Sequence, residues 1–252
     1  MKKTQINEMS WYEFRDAMAM NDLVIIPVGT MEAHGKHAPL GTGKMIVDTM
    51  ARKIGEKAGV PVAPTVPFSA SRNIGDFPGT LCMDPNLLRQ VLVEIAESYY
   101  AHGARRFLYI NAGSGNCGAI KMACSDMQKM HNDILSVQSE WWKVVPQLSE
   151  YACSGHGDKF DTSVLMAIDE TLCDLNKAVK GEKEALSDAF DGNKFLGGSI
   201  PIMGGISLSD VNDTACYGED AGEATKEIGE DIIEIYVDYC SKLVKELKRV
   251  FL

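Results

Sequence analysis

Apolar residues along the chain fall into two alternating patterns, short continuous runs and longer stretches with helical spacing. The continuous runs predict buried strands, because a strand covered on both faces shows no polar alternation. They are Leu23–Val28, Val60–Phe68, Phe107–Ile110 and Ile134–Ser139, the second of them interrupted by prolines. The helical spacing predicts helices over Met45–Lys57, over the stretch from Asp84–Pro85 to His102–Gly103, and over Ala119–Met130, Thr162–Ile168 and Glu223–Leu247.

This alternation predicts an α/β domain in which a mainly parallel sheet is flanked by helices. Ligands of such sheets gather at the carboxyl ends of the strands. The loops after Val28 and Ile110 are therefore expected to face one crevice, with Glu32 and Asn111 along it. Since no repeat or linker interrupts the pattern, residues 1–252 are predicted to form one domain. The glycine-rich stretch Glu182–Ser209 is predicted to be a long loop, with a lid as one role for it.

Composition excludes several classes of function. A net charge of -10 argues against binding to nucleic acid or an anionic membrane, since both require basic patches. No apolar run has the length of a membrane span, and no apolar stretch follows the first lysines as in a signal peptide. The seven cysteines are an odd number without a CxxC pair. They favour free thiols and a cytoplasmic location.

The stretch from Gly29 to Asp48 contains a candidate metal-binding loop. Glu32 and His34 are separated by one residue, so in an extended loop both side chains can reach one ion. A carboxylate and an imidazole suit Zn or Mn. His37 is expected either to be a third ligand or to hydrogen-bond a ligand without contacting the ion. The alternative is that Glu32 caps a turn and His34 only packs.

Two further loops carry polar residues. His156, Asp158 and Asp161 precede a predicted helix, where His156 suits acid–base catalysis and Asp161 suits either the site or the helix N-cap. The turn Asn111–Asn116 is glycine-rich but lacks the lysine of a P-loop. Its amides suit an oxyanion, and its Ser114 lacks the flanking pattern of a nucleophile elbow.

Taken in order, these segments resemble the creatininase (creatinine amidohydrolase) family. "PVGTMEAHGKHAPLGTG" is similar to the family's "PvGSxEqHGpHLPlgTD", and "FPGT" at Phe77–Thr80 is unchanged. "HGARRFLYINAGSGN" is similar to "hGxrrxlxxNgHGGN", and "HGDKFDTSVLM" to "HAGExETSxmL". The resemblance implies a three-layer α/β domain, usually hexameric, with two metal ions that activate water against a carbonyl carbon.

The resemblance fails at several ligand positions. Glu32 and His34 match, but Gly43 replaces the bridging aspartate and Gly113 replaces a histidine. Lys159 stands where the family has a glutamate, and Asp161 is a shortened one. At most one divalent ion per chain, Zn or Mn, is therefore expected. A rebuilt one-metal site, a metal-free site using Lys159 and His156, and a non-catalytic protein all remain open. Restoring Gly43→Asp with Gly113→His is predicted to raise the metal content.

The expected function is hydrolysis of a small cyclic amide or carbonyl compound, and the alternative is a non-catalytic member that binds a small ligand or serves as a structural subunit. The resemblance also implies a homo-oligomer, for which the apolar stripe Ile228, Ile232, Ile235 and Val237 is the expected interface. The expected metal ligands are Glu32 and His34, with Asp161 or Asp48 as a substitute ligand. The expected catalytic residues are His156, Glu32, Asp161 and Lys159, and the expected substrate-binding residues are His37, Thr80, Asn111, Ser114 and Asn116.

Overall fold

The computed structural model describes residues 3–182, 185–187, 190–191 and 207–250, so most of the stretch predicted as a lid lies outside the described residues. The main strands are β1 (Leu23–Val28), β2 (Arg106–Asn111) and β3 (Leu135–Glu140), and a short antiparallel pair is formed by β4 (Ala185–Ser187) and β5 (Phe190–Asp191). The helices are α1 (Trp11–Met20), α2 (Thr42–Ala58), α3 (Pro85–Tyr100), α4 (Cys117–Met130), α5 (Trp141–Val144), α6 (Lys159–Ile168) and α7 (Lys226–Leu247).

The main sheet is parallel, as predicted, with β2 in the centre between β1 and β3. The last residues of the three strands are in register, so that Val28 lies opposite Asn111, which lies opposite Glu140. Three loops therefore leave the sheet at the same edge. This alignment creates the crevice that the sequence predicts there.

Helices cover both faces of the sheet. Leu23 and Ile25 of β1 point to the face covered by α2, α6 and α7, whereas Val24 and Ile26 point to the face covered by α3 and α4. All four side chains have no exposed surface. Fully burying an apolar side chain of this size contributes about 1.5–3 kcal/mol. Since both faces are covered, the predicted α/β three-layer class is confirmed.

Two elements differ from the predictions. The run Val60–Phe68 pairs with the sheet only at isolated bridges, where Val62 lies beside Ile25 and Val66 beside Val28. Its prolines lack the N–H that a continuous ladder requires. The helix α1 was not predicted, although its Ser10–Glu13 capping box is a recognisable start signal.

The apolar stripe of α7 packs inside the chain. Ile232 is fully buried and Val237 is 6% exposed, and Ile228 and Ile235 pack against the same core. These positions were expected to form an interface between copies, but α2 and α6 already cover much of the stripe. The stripe therefore gives no argument for an oligomer.

No helix among the described residues is long and apolar enough to cross a membrane. All seven cysteines lie within the described ranges, and all are free thiols. The chain therefore relies on packing rather than on disulfides.

Helices α6 and α7 approach each other closely at Gly229. A Cβ at this position would lie 2.8 Å from the Val164 nitrogen and closer still to the Ser163 carbonyl oxygen. Gly229→Ala is therefore expected to lower the free energy of unfolding by about 1–3 kcal/mol, because the helices must separate. Gly118→Ala on the exposed start of α4 is the control, since a Cβ there meets nothing within 4 Å. Equal effects of the two substitutions in urea unfolding would contradict this close contact.

Candidate active site and metal centre

A cavity of about 480 Å³ opens at the carboxyl edge of the sheet. The loops that follow β1 and β2, the helix α5 that directly follows β3, and the loop before α6 each contribute to its wall. Its apolar walls are formed by Ile74, Trp141, Trp142 and Leu208. The size is that of a small-molecule site.

Three side chains converge in this cavity. Glu32, His34 and His156 each offer a ligand atom, and these atoms lie within 4.8 Å of one another. The two imidazole rings are 4.2 Å apart between centroids. Glu32 and His34 are 6% and 3% exposed, so the group is largely shielded from water. The predicted pair after β1 is thus joined by His156, which the sequence indicates first as an acid–base residue and only second as a possible recruited ligand.

The hydrogen bonds of the two histidines determine which ring nitrogens are free to bind a metal. His34 Nδ1–H donates to the carbonyl oxygen of Glu32 at 3.0 Å, which leaves the lone pair on Nε2. His156 Nε2–H donates to the carbonyl oxygen of Ala33 at 2.7 Å, which leaves the lone pair on Nδ1. A carbonyl can only accept, so both tautomers follow from these contacts. Carbonyl partners of this kind orient metal-binding histidines.

The charge state also suits metal binding. Burial, and then the nearby His156 ring, lower the pKa of His34 to about 4. The imidazole is therefore neutral near pH 7, as a ligand must be. Ser71 Oγ–H donates to Glu32 Oε2 and fixes the carboxylate. Two imidazoles and one carboxylate form a known catalytic zinc set that leaves a coordination position open. The donor set fits one divalent ion.

His156 reaches the cluster through backbone contacts that its sequence position does not reveal. The backbone N–H of His156 donates to the Tyr217 carbonyl oxygen at 2.8 Å, and the backbone N–H of Tyr217 donates to the His156 carbonyl oxygen at 2.9 Å. Gly157 follows with φ +57°, and a Cβ there would lie 2.9 Å from the His34 carbonyl carbon. Only glycine combines this conformation with such a close approach. The G-H-G sequence was the available signal.

Two aspartates lie beside the cluster. Asp158, not Asp161, is the N-cap of α6, since its Oδ1 accepts from the Phe160 and Asp161 amides. Asp161 Oδ2 instead accepts from the Gly157 N–H at 2.8 Å. Burial, and then the neighbouring Asp161, raise the pKa of Asp158 to about 7. Burial likewise raises the pKa of Asp161. Both residues line the cavity.

Two sequence-predicted residues are not brought to the site. Lys159 Nζ forms an ion pair with Glu223 at 3.0 Å, and Lys159 does not line the cavity. The lysine is the first residue of α6, where the helix turns it away from His156. The lysine that the metal-free alternative requires is thus not at the cavity. Asp48 pairs with Lys44 at 3.2 Å on α2, outside the cavity, so it is not a substitute ligand.

Among the expected substrate-binding residues, Ser114 lines the cavity, and the other four hold the surrounding loops. His37 Nε2 contacts Thr162 Oγ1 at 2.9 Å. Thr80 Oγ1 accepts from the Ala33 N–H at 3.1 Å. Asn116 Nδ2 donates to the Asn111 side chain and to the Gly29 carbonyl, both at 3.2 Å. These polar residues look like binding residues in sequence because buried loop supports have the same composition.

Comparison with known proteins gives one consistent family. The creatininase family model, described as creatinine amidohydrolase, matches residues 7–244. A creatinine amidohydrolase of Pseudomonas putida is 25% identical over 97% of each chain. A mycofactocin precursor peptide peptidase of Mycolicibacterium smegmatis is 29% identical over 92% of this chain and 87% of its own. A 3-dehydro-scyllo-inosose hydrolase of Thermotoga maritima is 24% identical over 96% of this chain and 83% of its own.

Solved structures agree on the fold. A creatininase in its manganese form superposes with a TM-score of 0.78 at 21% identity, covering 97% of this chain and 98% of its own. A mutant creatininase of the Zn-Zn type gives a TM-score of 0.78 at 22% identity over 98% of each chain.

Proposed function

The chain belongs to the creatininase family, and from this premise we propose that it is a hydrolase with one divalent ion that acts on a small cyclic amide or a related carbonyl compound. The observation that carries the proposal is the convergence of Glu32, His34 and His156 in a cavity of small-molecule size. Relatives named for hydrolysis of creatinine, a peptide and an inosose support the reaction class.

The side chains of this cavity would have different roles in metal binding and in substrate binding. Glu32 Oε1, His34 Nε2 and His156 Nδ1 would hold the ion, with Ser71 holding the other carboxylate oxygen. When bound, a divalent ion supplies a Lewis acid and makes water more nucleophilic near pH 7. Asp158 and Asp161 present carboxyl oxygens that suit the N–H groups of an amide. Trp141 and Trp142 form an apolar wall that excludes bulk water.

Turnover assays with a panel of substrates test this proposal. The zinc-loaded and manganese-loaded protein would be incubated with creatinine and other cyclic amides, a short peptide, and a cyclic ketone, and products followed by mass spectrometry. Metal-dependent cleavage of one class by the wild type, lost in Glu32→Gln, is expected. A loaded wild-type protein that binds members of the panel without converting any would favour the non-catalytic alternative.

We also propose a homo-oligomer, and a hexamer by family resemblance. The internal packing of α7 removes one argument for it, so the proposal rests on the family alone. Light scattering at micromolar concentration is expected to give a mass above the 27.5 kDa of one chain. A mass of one chain would contradict it.

A further inference from the structure

The family resemblance implies ligands for a second metal ion at two positions that are glycines in this chain. Gly43 is the second residue of α2, and Gly113 lies in the turn after β2. A Cβ built on Gly113 lies 3.8 Å from Glu32 Oε1, so a side chain at this position points toward the metal group. The sequence alone shows that both positions lack side chains, but not what occupies the space beside them. The structure shows that something else has taken the space.

The side chain of Thr30 fills both positions. A Cβ on Gly113 would lie 2.7 Å from Thr30 Cγ2. A Cβ on Gly43 would lie far inside contact distance of Thr30 Oγ1, and 3.3 Å from Ala112 Cβ. Real Cβ atoms essentially never approach other atoms below 3.0 Å. One residue therefore blocks side chains at both glycines, with a different branch against each.

Thr30 has no simple way to move aside. Its side chain is fully buried. Cβ carries two non-hydrogen branches and one hydrogen, so each of the three staggered χ1 conformations leaves at least one of the two positions filled. Thr30 Oγ1 has no hydrogen-bond partner among the described residues, so no polar contact explains its placement. The observation that remains is the volume that it occupies.

We propose that Thr30 closes the second metal position and thereby determines that the site holds one divalent ion. The inference rests on the proposed metal function of Glu32, His34 and His156. It also corrects the expectation that Gly43→Asp with Gly113→His would restore metal binding. Both new side chains would collide with Thr30, so the double substitution is not sufficient.

Zinc counts in three multiple variants test this role. The first carries Gly43→Asp and Gly113→His with Thr30 retained. The second adds Thr30→Ala, which removes both branches. The third adds Thr30→Val, which keeps both branches and removes only the hydroxyl. Each is loaded with zinc, dialysed identically with the wild type, and analysed for zinc per chain by elemental analysis.

The alanine variant is expected to bind one more zinc equivalent than the threonine and valine variants. Equal zinc content in all three would overturn the role of Thr30, whether the common value is high or low. The count of the wild type tests the proposed metal function separately. A wild type without zinc would reject that function, whereas the difference among the variants would still decide whether Thr30 is the barrier.

A melting experiment without metal decides the same point if the multiple variants bind zinc poorly. Gly43→Ala adds only a Cβ, so it should lower the Tm by roughly 4 °C or more when Thr30 is present. In a Thr30→Ala background the same change should have a much smaller effect, because the clashing oxygen is gone. In a Thr30→Val background Gly43→Ala should again lower the Tm, because the branch beside Gly43 is present again. An equal fall in Tm in all three backgrounds would overturn the proposal.

Discussion

Replacing His156 with alanine is expected to lower zinc affinity by at least about 100-fold, since even partners outside the ligand shell contribute 10–100-fold. The reason is that the proposed site has three side-chain ligands among the described residues, and His156, with its lone pair on Nδ1, is one of them. Without it, the carboxylate of Glu32 and one imidazole leave most of the coordination sphere to water. Titration of the metal-free protein with zinc against a competing chelator measures the change.

Lys159→Ala is the matched control for this experiment. Lys159 lies three residues further along the chain, but it pairs with Glu223 and does not line the cavity. Its replacement should leave zinc affinity within a factor of about three, because an exposed ion pair contributes about 1 kcal/mol or less to stability. Wild-type affinity in His156→Ala would contradict the assignment of His156 as a ligand, and a large loss in Lys159→Ala would contradict the orientation of the lysine.

Replacing Asp158 with asparagine is expected to stabilise the metal-free protein at pH 7 by about 3 kcal/mol relative to its effect at pH 4. Burial raises the pKa of Asp158 to about 7, from an ordinary value of 3.8. The folded state therefore binds this proton more tightly than the unfolded state does. The contribution of Asp158 to stability is complete below pH 3.8 and is lost as the pH rises toward 7. Asparagine keeps the N-cap without carrying the charge.

The difference between variant and wild type reports Asp158 together with its neighbour Asp161, whose charge raises the pKa of Asp158. His34 titrates with the opposite sign, because burial lowers its pKa, but it is common to both proteins and cancels in the difference. Asp84→Asn at the N-cap of α3 is the control. Its carboxylate is exposed, and the Asn86 amide holds its pKa below the ordinary value, so no change is expected between pH 4 and 7. Urea unfolding at several pH values measures the change in the free energy of unfolding for both substitutions. A change that is the same at every pH for Asp158→Asn would contradict the burial of its charge.

The fold was predictable because the local hydrophobic and capping patterns predict the same strands and helices that pack in the structure. Leu23–Val28 is a continuous apolar run, and in the structure both of its faces are buried. Asp84 and Pro85 start α3 as their cap signals indicate. The run Val60–Phe68 was harder to interpret, because apolar residues and prolines give opposite signals and pairing survives only at single bridges.

The site was predictable only where its residues are near one another in sequence. Glu32 and His34 stand out because one residue separates them after a strand. The third member, His156, lies beyond the reach of any local pattern, since the pairing with Tyr217 and the left-handed Gly157 bring it there. Thr30 was missed because a threonine after a strand carries no chemical signal. Its effect depends on where its two branches point.

The metal loop at the start of the chain is therefore best explained as a rebuilt site. The family ligands at positions 43 and 113 are absent, and Thr30 occupies their space. His156 supplies a nitrogen that completes a three-ligand group with Glu32 and His34. In the proposed arrangement the cavity stays at the edge of the sheet and holds one ion instead of two.

X-ray absorption at the zinc edge, combined with a zinc count on the wild-type protein after dialysis, tests this account most directly. One equivalent per chain, with two imidazole nitrogens and at least one oxygen as nearest neighbours, is the predicted result. The spectrum of a matched His156→Ala sample should lose one imidazole. Two equivalents per chain, or a wild-type spectrum with fewer than two imidazoles, would contradict a single ion held by Glu32, His34 and His156.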